Sequence, residues 1–234
     1  MTKKELLDAI HGQMIISCQA VEGEPLYVEE KSIMYLMARA AKQAGTPAIR
    51  TSSIRDVIAI KEETGLPVIG LVKVQYPGYE GFITPTMKEV DDLVAAGSDI
   101  VALDCTLRKR GDGSTVNEFI AQIREKYPDI ILMADISNYE EGINAWKCGV
   151  DIVGTTMSGY TAYTSSVSDG PDYELMERLS RDINIPVIGE GRIHYPDQAV
   201  KALQTGAWAI VVGGAITRPL EIAMRFQNAI KESR

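Results

Sequence analysis

Eight short apolar runs recur along the chain, each followed by a longer stretch whose apolar positions repeat with helical period. The runs cover residues 14–19, 48–51, 68–73, 100–106, 131–137, 152–157, 187–192 and 208–213. They are rich in Val, Ile and Leu with almost no charge in their bodies, the mark of strands buried on both faces of a parallel sheet. The stretches near 33–44, 53–64, 86–96, 114–127, 139–148, 172–182, 196–204 and 219–232 are roughly 9 to 14 residues long, the usual length of helices in βα units. Eight such units within 234 residues predict one α/β domain over residues 1–234, closed as a (β/α)8 TIM barrel. A doubly wound open sheet is the competing architecture, but no G-x-G-x-x-G motif follows the first strand.

The punctuation agrees with that alternation. Gly97, Gly149 and Gly206 each stand between a helical stretch and the next strand, where a left-handed cap is needed. Thr86 with Glu89, Thr115 with Glu118 and Ser137 with Glu140 have the spacing of capping boxes at helix starts.

Charge and composition narrow the function. The 24 basic residues against 32 acidic ones leave a net charge of -8, which argues against nucleic acid or an anionic membrane as partner. Three dispersed cysteines and two histidines give neither a disulfide framework nor a His-based metal site. With no signal-type or membrane-length apolar segment, the expectation is a cytoplasmic protein. No metal and no cofactor are signalled.

In a barrel the chemistry collects at the C-terminal ends of the strands. Those ends supply Ser17, Cys18 and Gln19, then Arg50 and Thr51, then Lys73, then Asp104 and Thr106. Asp135 and Ser137, Thr155 and Thr156, Glu190 to Arg192, and Gly213 with Gly214 follow. One sequence device recurs among them. Pro67-Val68-Ile69-Gly70-Leu71-Val72-Lys73 is echoed by Pro186-Val187-Ile188-Gly189-Glu190-Gly191-Arg192, so that Lys73 and Glu190 differ by two positions and face the same way on strands of neighbouring type.

Desolvation at such a place disfavours an ammonium ion, making Lys73 a base or a Schiff-base former, unless it simply reaches water. Glu190, between two glycines, is either its functional partner or an ion-pair mate of Arg192 or Arg218. At least one of Asp104 and Asp135 is expected to meet a ligand, the other capping a helix. Arg50 either binds an anion or sugar hydroxyl or forms a surface pair, while His194 reads as a loop or capping residue. Gly189, Gly191, Gly213 and Gly214, with Arg218 opening the last helix, fall where barrels of this class hold a phosphate. Two long loops, at 74–85 and 158–171, have the size of lids or ligand walls.

Several of these segments, namely Ile16-Ser17-Cys18-Gln19-Ala20, Ala48-Ile49-Arg50, the run ending in Lys73, Ala102-Leu103-Asp104, Met133-Ala134-Asp135-Ile136-Ser137, Gly154-Thr155-Thr156-Met157-Ser158-Gly159-Tyr160-Thr161, Gly189-Glu190-Gly191-Arg192 and Gly213-Gly214-Ala215-Ile216-Thr217-Arg218-Pro219, are shared with a known family. Together they resemble the bacterial N-acylglucosamine-6-phosphate 2-epimerases, also called N-acetylmannosamine-6-phosphate 2-epimerases. The resemblance implies a homodimeric TIM barrel without cofactor that inverts C2 of a phosphorylated N-acyl amino sugar in sialic acid breakdown. It implies Lys73 as catalytic acid/base and Glu190 as its partner. Gln19, Arg50, Asp135 and Thr156 are then substrate-contacting, and Arg218, Gly191, Gly213 and Gly214 mark the phosphate end. Two positions depart from the family pattern: Cys105 where alanine is usual and Gly111 where proline is common. A Schiff-base aldolase and a non-catalytic sugar-phosphate sensor are the rival functions.

Overall fold

The computed structural model describes residues 1–165 and 170–233. In chain order it contains α1 (Lys3–Ile10), β1 (Met14–Ser17), α2 (Met34–Gln43), β2 (Ile49–Ser52), α3 (Ile54–Thr64), β3 (Val68–Leu71), α4 (Met87–Ala95), β4 (Ile100–Asp104) and α5 (Val116–Lys126). It continues with β5 (Ile131–Asp135), α6 (Tyr139–Lys147), β6 (Ile152–Gly154), α7 (Tyr173–Asp182), β7 (Val187–Glu190), α8 (Pro196–Gln204), β8 (Ala209–Val212) and α9 (Pro219–Glu232). The eight strands pair in sequence order, all parallel, and β8 returns to β1 to close the barrel. The predicted (β/α)8 architecture is the observed one.

Alternation along each strand sorts the core into two layers. Inward residues such as Ile15, Ile69, Ala102, Met133, Ile188 and Val211 form one buried cluster. Their neighbours Ile16, Val68, Leu103, Leu132 and Val187 pack outward against the helices in another. The same parity governs the strand ends. Gln19, Arg50, Lys73, Asp135, Thr156, Glu190 and Gly213 each lie an even number of residues beyond an inward residue, so the site is the continuation of the barrel's interior.

One element escaped the sequence pattern. α1 precedes β1, begins with a Thr2–Glu5 capping box, and sends Leu6 and Ile10 into the inward cluster. Trp208 secures it, donating its indole N–H to the Leu7 carbonyl at 2.9 Å and stacking on His11 at 3.9 Å. With eight residues and only Leu6 and Ile10 buried, this helix is too short for its apolar stripe to stand out.

The remaining differences are local. Strands end earlier than their apolar runs because the last residues turn to bond loops, as when Thr106 donates to Asp104. The Thr86–Glu89 and Thr115–Glu118 boxes form. At α6 the cap is Asn138 instead of Ser137, and Ser137 bonds Glu141, one residue beyond the expected Glu140. Gly97, Gly149 and Gly206 take the left-handed conformation, with φ of 82°, 87° and 95°.

Candidate active site

A cavity of about 330 Å³ opens at the C-terminal mouth of the barrel, lined by Gln19, Arg50, Lys73, Thr156, Tyr160, Glu190, Gly191, Arg192, His194, Gly213, Gly214 and Arg218 among others. Such a volume suits a sugar phosphate. β3 and β7 lie four strands apart in an eight-stranded ring. Lys73 and Glu190 therefore approach the cavity from opposite walls, not from adjacent strands as the sequence echo suggested. Barrel closure, which the echo does not encode, sets that separation.

The cavity floor is an ionic cluster whose inner members, Arg50 and Asp135, are enclosed and whose outer members, Thr156 and Glu190, face the cavity. Arg50 and Asp135 are essentially without solvent exposure, and the Arg50 guanidinium meets Asp135 Oδ2 at 2.5 Å. The Arg50 Nε lies 3.4 Å from Glu190 Oε1. Thr156 Oγ1 sits between the two carboxylates, 2.7 Å from Asp135 Oδ1 and 3.0 Å from Glu190 Oε2. Thr155 fixes Glu190 from the other side, accepting from its N–H and donating to its carbonyl. Burial pushes the Glu190 carboxyl up to about 7, and Asp135 adds to the push, against the opposing pull of Arg50 and Lys73.

Lys73 stands just past β3. Its backbone bridges Ile83, because residues 74–85 fold back on the strand through Val74 N–H to Phe82 O and Thr84 N–H to Val72 O. The side chain is open to solvent through the cavity mouth, yet protein surrounds it on most sides. That desolvation, reinforced by Arg218 and Arg50, lowers its amine to about 8. Gln19 donates to Ser17 at 2.9 Å and leaves its buried Oε1 without a partner, an acceptor ready for a substrate hydroxyl or amide.

The family model described as "Putative N-acetylmannosamine-6-phosphate epimerase" matches residues 34–232. A protein named "Putative N-acetylmannosamine-6-phosphate 2-epimerase" from Caldanaerobacter subterraneus subsp. tengcongensis is 54% identical over 230 residues, spanning 98% of this chain and 96% of its own length. The solved structure of the N-acetylmannosamine-6-phosphate 2-epimerase from Clostridium perfringens superimposes with a TM-score of 0.90 at 48% identity, covering 96% of both chains. The chain belongs to this epimerase family. A thiamine phosphate pyrophosphorylase from Pyrococcus furiosus, at 20% identity and a TM-score of 0.59, shares the fold alone.

Within this epimerase-family barrel most of the strand-end candidates converge, and a few do not. Asp135 does not line the cavity; it supports the floor through Arg50 and Thr156. Asp104 is occupied by Thr106, Arg108 and the Phe82 N–H, so it braces loops. Arg192 does not pair with Glu190. Its guanidinium donates to the carbonyls of Ser158 and Gly170, holding both described ends of the 158–171 loop, and its backbone is left-handed with φ 54°. The rest of that loop's Ser/Thr cluster, at residues 166–169, lies outside the described residues.

At the far end of the cavity Arg218 pairs with Glu24 at 3.1 Å and with Glu221 at 2.9 Å. Gly213 and Gly214 permit a close approach there: a Cβ at Gly214 would come 2.1 Å from Glu221 Oε2. The sequence reading missed Glu221, although its position three residues after Arg218 on α9 was an available signal. Both departures from the family pattern have a physical account. Cys105 is fully buried among outward core residues, and a Cβ on Gly111 would sit 2.4 Å from the Tyr76 ring. Among the described residues no helix is long and apolar enough to cross a membrane.

Proposed function

We propose that this chain interconverts N-acetylmannosamine 6-phosphate and N-acetylglucosamine 6-phosphate by proton transfer at C2. One observation carries the proposal: an amine lowered to about 8 and a carboxyl raised to about 7 face one cavity from opposite walls. Ring opening exposes the C1 aldehyde, which acidifies the C2 proton. Neutral Lys73 takes that proton; the electron pair left on C2 moves into the C1–C2 bond, and the carbonyl pair moves onto the C1 oxygen. Protonated Glu190 then delivers a proton to the other face of C2, the carbonyl re-forms, and the centre is inverted. Lys73 is left as ammonium and Glu190 as carboxylate, and exchange with water in the open cavity resets both. The reverse reaction starts from that second state.

Arg50 supplies positive charge beside the sugar oxygens on which charge develops, the kind of stabilisation that is often the largest single catalytic contribution, and the free Oε1 of Gln19 accepts from a substrate hydroxyl or amide. Gly191, Gly213, Gly214 and Arg218 receive the phosphate. The N-terminus of α9, whose cap Arg218 makes no side-chain bond to the helix N–H groups, adds favourable polarity. The direct assay follows N-acetylmannosamine 6-phosphate by proton NMR. Appearance of the N-acetylglucosamine epimer supports the proposal. A borohydride-trapped adduct on Lys73 would instead favour Schiff-base chemistry.

The pH dependence has a definite sign. Lys73 must be neutral while Glu190 is protonated, so the rate climbs with pH only up to about 7, where gain of neutral Lys73 begins to be matched by loss of the Glu190 proton. Between about 7 and 8 the two trends cancel, and above about 8, where Lys73 is already neutral, continuing loss of the Glu190 proton makes the rate fall. The expected kcat/KM profile is a bell centred between these values. A flat profile from pH 6 to 9 contradicts the assignment.

The family resemblance extends the proposal to sialic acid catabolism, a cytoplasmic setting, one catalytic domain over residues 1–234 and a homodimer. The last is supported by α9, a helix without a buried residue that exposes Leu220, Met224, Phe226 and Ile230. Light scattering should give twice the 25.6 kDa chain mass; a monomer mass refutes the dimer.

A further inference from the structure

The position of Thr156 poses a counting problem. A threonine hydroxyl has one proton, yet Thr156 Oγ1 lies within hydrogen-bond distance of two carboxylate oxygens, 2.7 Å from Asp135 and 3.0 Å from Glu190. If both acids were ionised, one of these contacts would set lone pair against lone pair at the cavity wall. The shorter contact and full burial place the Thr156 proton on Asp135. Arg50, at 2.5 Å on the other Asp135 oxygen, holds that carboxylate in its charged form. The contact with Glu190 is then a bond only if Glu190 is the donor.

We propose that Thr156 is a positioning residue that holds Glu190 in its protonated form, accepting the Glu190 acid proton while donating its own to Asp135. The proposal rests on the epimerase reading for its purpose, since it supplies the acid that faces Lys73, but its geometry is independent of any substrate. It also changes the role of Thr156, expected from sequence to touch the sugar.

Charge balance agrees. The charged groups facing Glu190 are Arg50 on β2, Lys73 past β3 and Asp135 on β5, with Arg218 and Glu221 of the α9 end farther out in the cavity. One guanidinium serves both Asp135 and Glu190, and it is fully engaged only with the former: its Nε, which points toward Glu190, makes no hydrogen bond. A neutral Glu190 leaves Arg50 and Asp135 as a matched pair. Local sequence builds the arrangement. Gly154, in register with Asp135, lacks the Cβ that would collide with Met133 and crowd Thr156 Oγ1, so the hydroxyl can lean between the two acids. Burial raises the Glu190 carboxyl in the same direction; a Thr156 hydroxyl donating to an ionised Glu190 would lower it, and that is the arrangement excluded when its one proton is on Asp135.

Thr156→Val keeps the shape and removes the hydroxyl. A titration of Glu190 by carboxyl-carbon NMR, with its signal identified by its loss in Glu190→Gln, reads the effect without needing turnover. The expected result is a fall of about one pH unit in the Glu190 midpoint, the tenfold change that one ordinary hydrogen bond supplies. The low-pH limit of the kcat profile, which Glu190 sets, shifts down with it and the plateau falls about tenfold, while KM stays nearly constant and Thr156→Ser restores the original profile. An upward shift would mean that Thr156 donates to an ionised Glu190, and no shift would mean a packing role; either overturns the proposal. Should the valine variant fail to fold, the unaltered protein decides. Its infrared spectrum at pH 6 must show a protonated-carboxyl band that Glu190→Gln removes, and absence of that band refutes the proposal. Because the titration and the infrared spectrum report on the free protein, a failed epimerase assay leaves this result interpretable.

Discussion

Lys73→Ala is expected to lower kcat for epimerisation by about 10²–10⁴-fold, the range that a positioned general base contributes. The size follows from what the amine supplies. An ordinary lysine is almost wholly ammonium near pH 7, whereas burial, Arg218 and Arg50 bring this one down to about 8, so a usable fraction is neutral. Phe82 and Ile83, the lining residues that follow Lys73 in its loop, offer no basic atom to replace it. The phosphate end, with Arg218 and the glycines, is untouched by the substitution, so substrate affinity by calorimetry should change little. A variant with full kcat would remove Lys73 from the reaction.

The second large effect is on stability. Arg50→Met should lower the unfolding free energy by about 3–5 kcal/mol, measured by urea denaturation, because breaking one partner of an enclosed ion pair leaves the other charge uncompensated. Here the loss is not confined to one pair. Arg50 meets Asp135 directly and stands 3.4 Å from Glu190, so its removal leaves the enclosed Asp135 and the cavity-facing Glu190 without their shared cation. The double variant Arg50→Met with Asp135→Leu removes both charges and should recover much of the loss, since apolar replacement of a whole buried pair is often close to neutral. It remains inactive. A single variant as stable as the parent would show that the Arg50–Asp135 pair does not hold the barrel's mouth together.

These expectations differ in how far the sequence alone could have supported them. The barrel was legible because eight apolar runs carry their own boundaries: β4 and β5 each end on an aspartate where buried strand gives way to polar loop. Inward parity was legible as well, since a two-residue period carries Lys73 and Glu190 onto the interior face of their strands. What parity cannot give is which inward residues lean on one another. Asp104 and Asp135 look alike in sequence, each closing an apolar strand. In the fold Asp104 turns to Thr106 and Arg108 beside it, while Asp135 reaches across to Arg50 on a strand 85 positions earlier.

Arg192 illustrates the same limit. Next to Gly191 and close to Glu190 it reads as an ion-pair partner, yet its left-handed backbone aims the guanidinium at the carbonyls of Ser158 and Gly170. Thr156 is the most instructive residue. As a hydroxyl at a strand end it suggests a sugar contact. Only the closure of β5, β6 and β7 around it shows two carboxylates competing for one proton. Hydrophobic pattern specifies the scaffold; long-range hydrogen bonds between its strand ends specify the chemistry, and they have no local sequence signature.

The central claim is that a proton leaves and returns at C2 inside this cavity, and exchange with heavy water tests it most directly. N-acetylmannosamine 6-phosphate incubated with the protein in D2O should yield N-acetylglucosamine 6-phosphate carrying deuterium at C2, with Lys73→Ala suppressing the label. Epimer without deuterium, or sugar recovered unlabelled and unchanged, would contradict it.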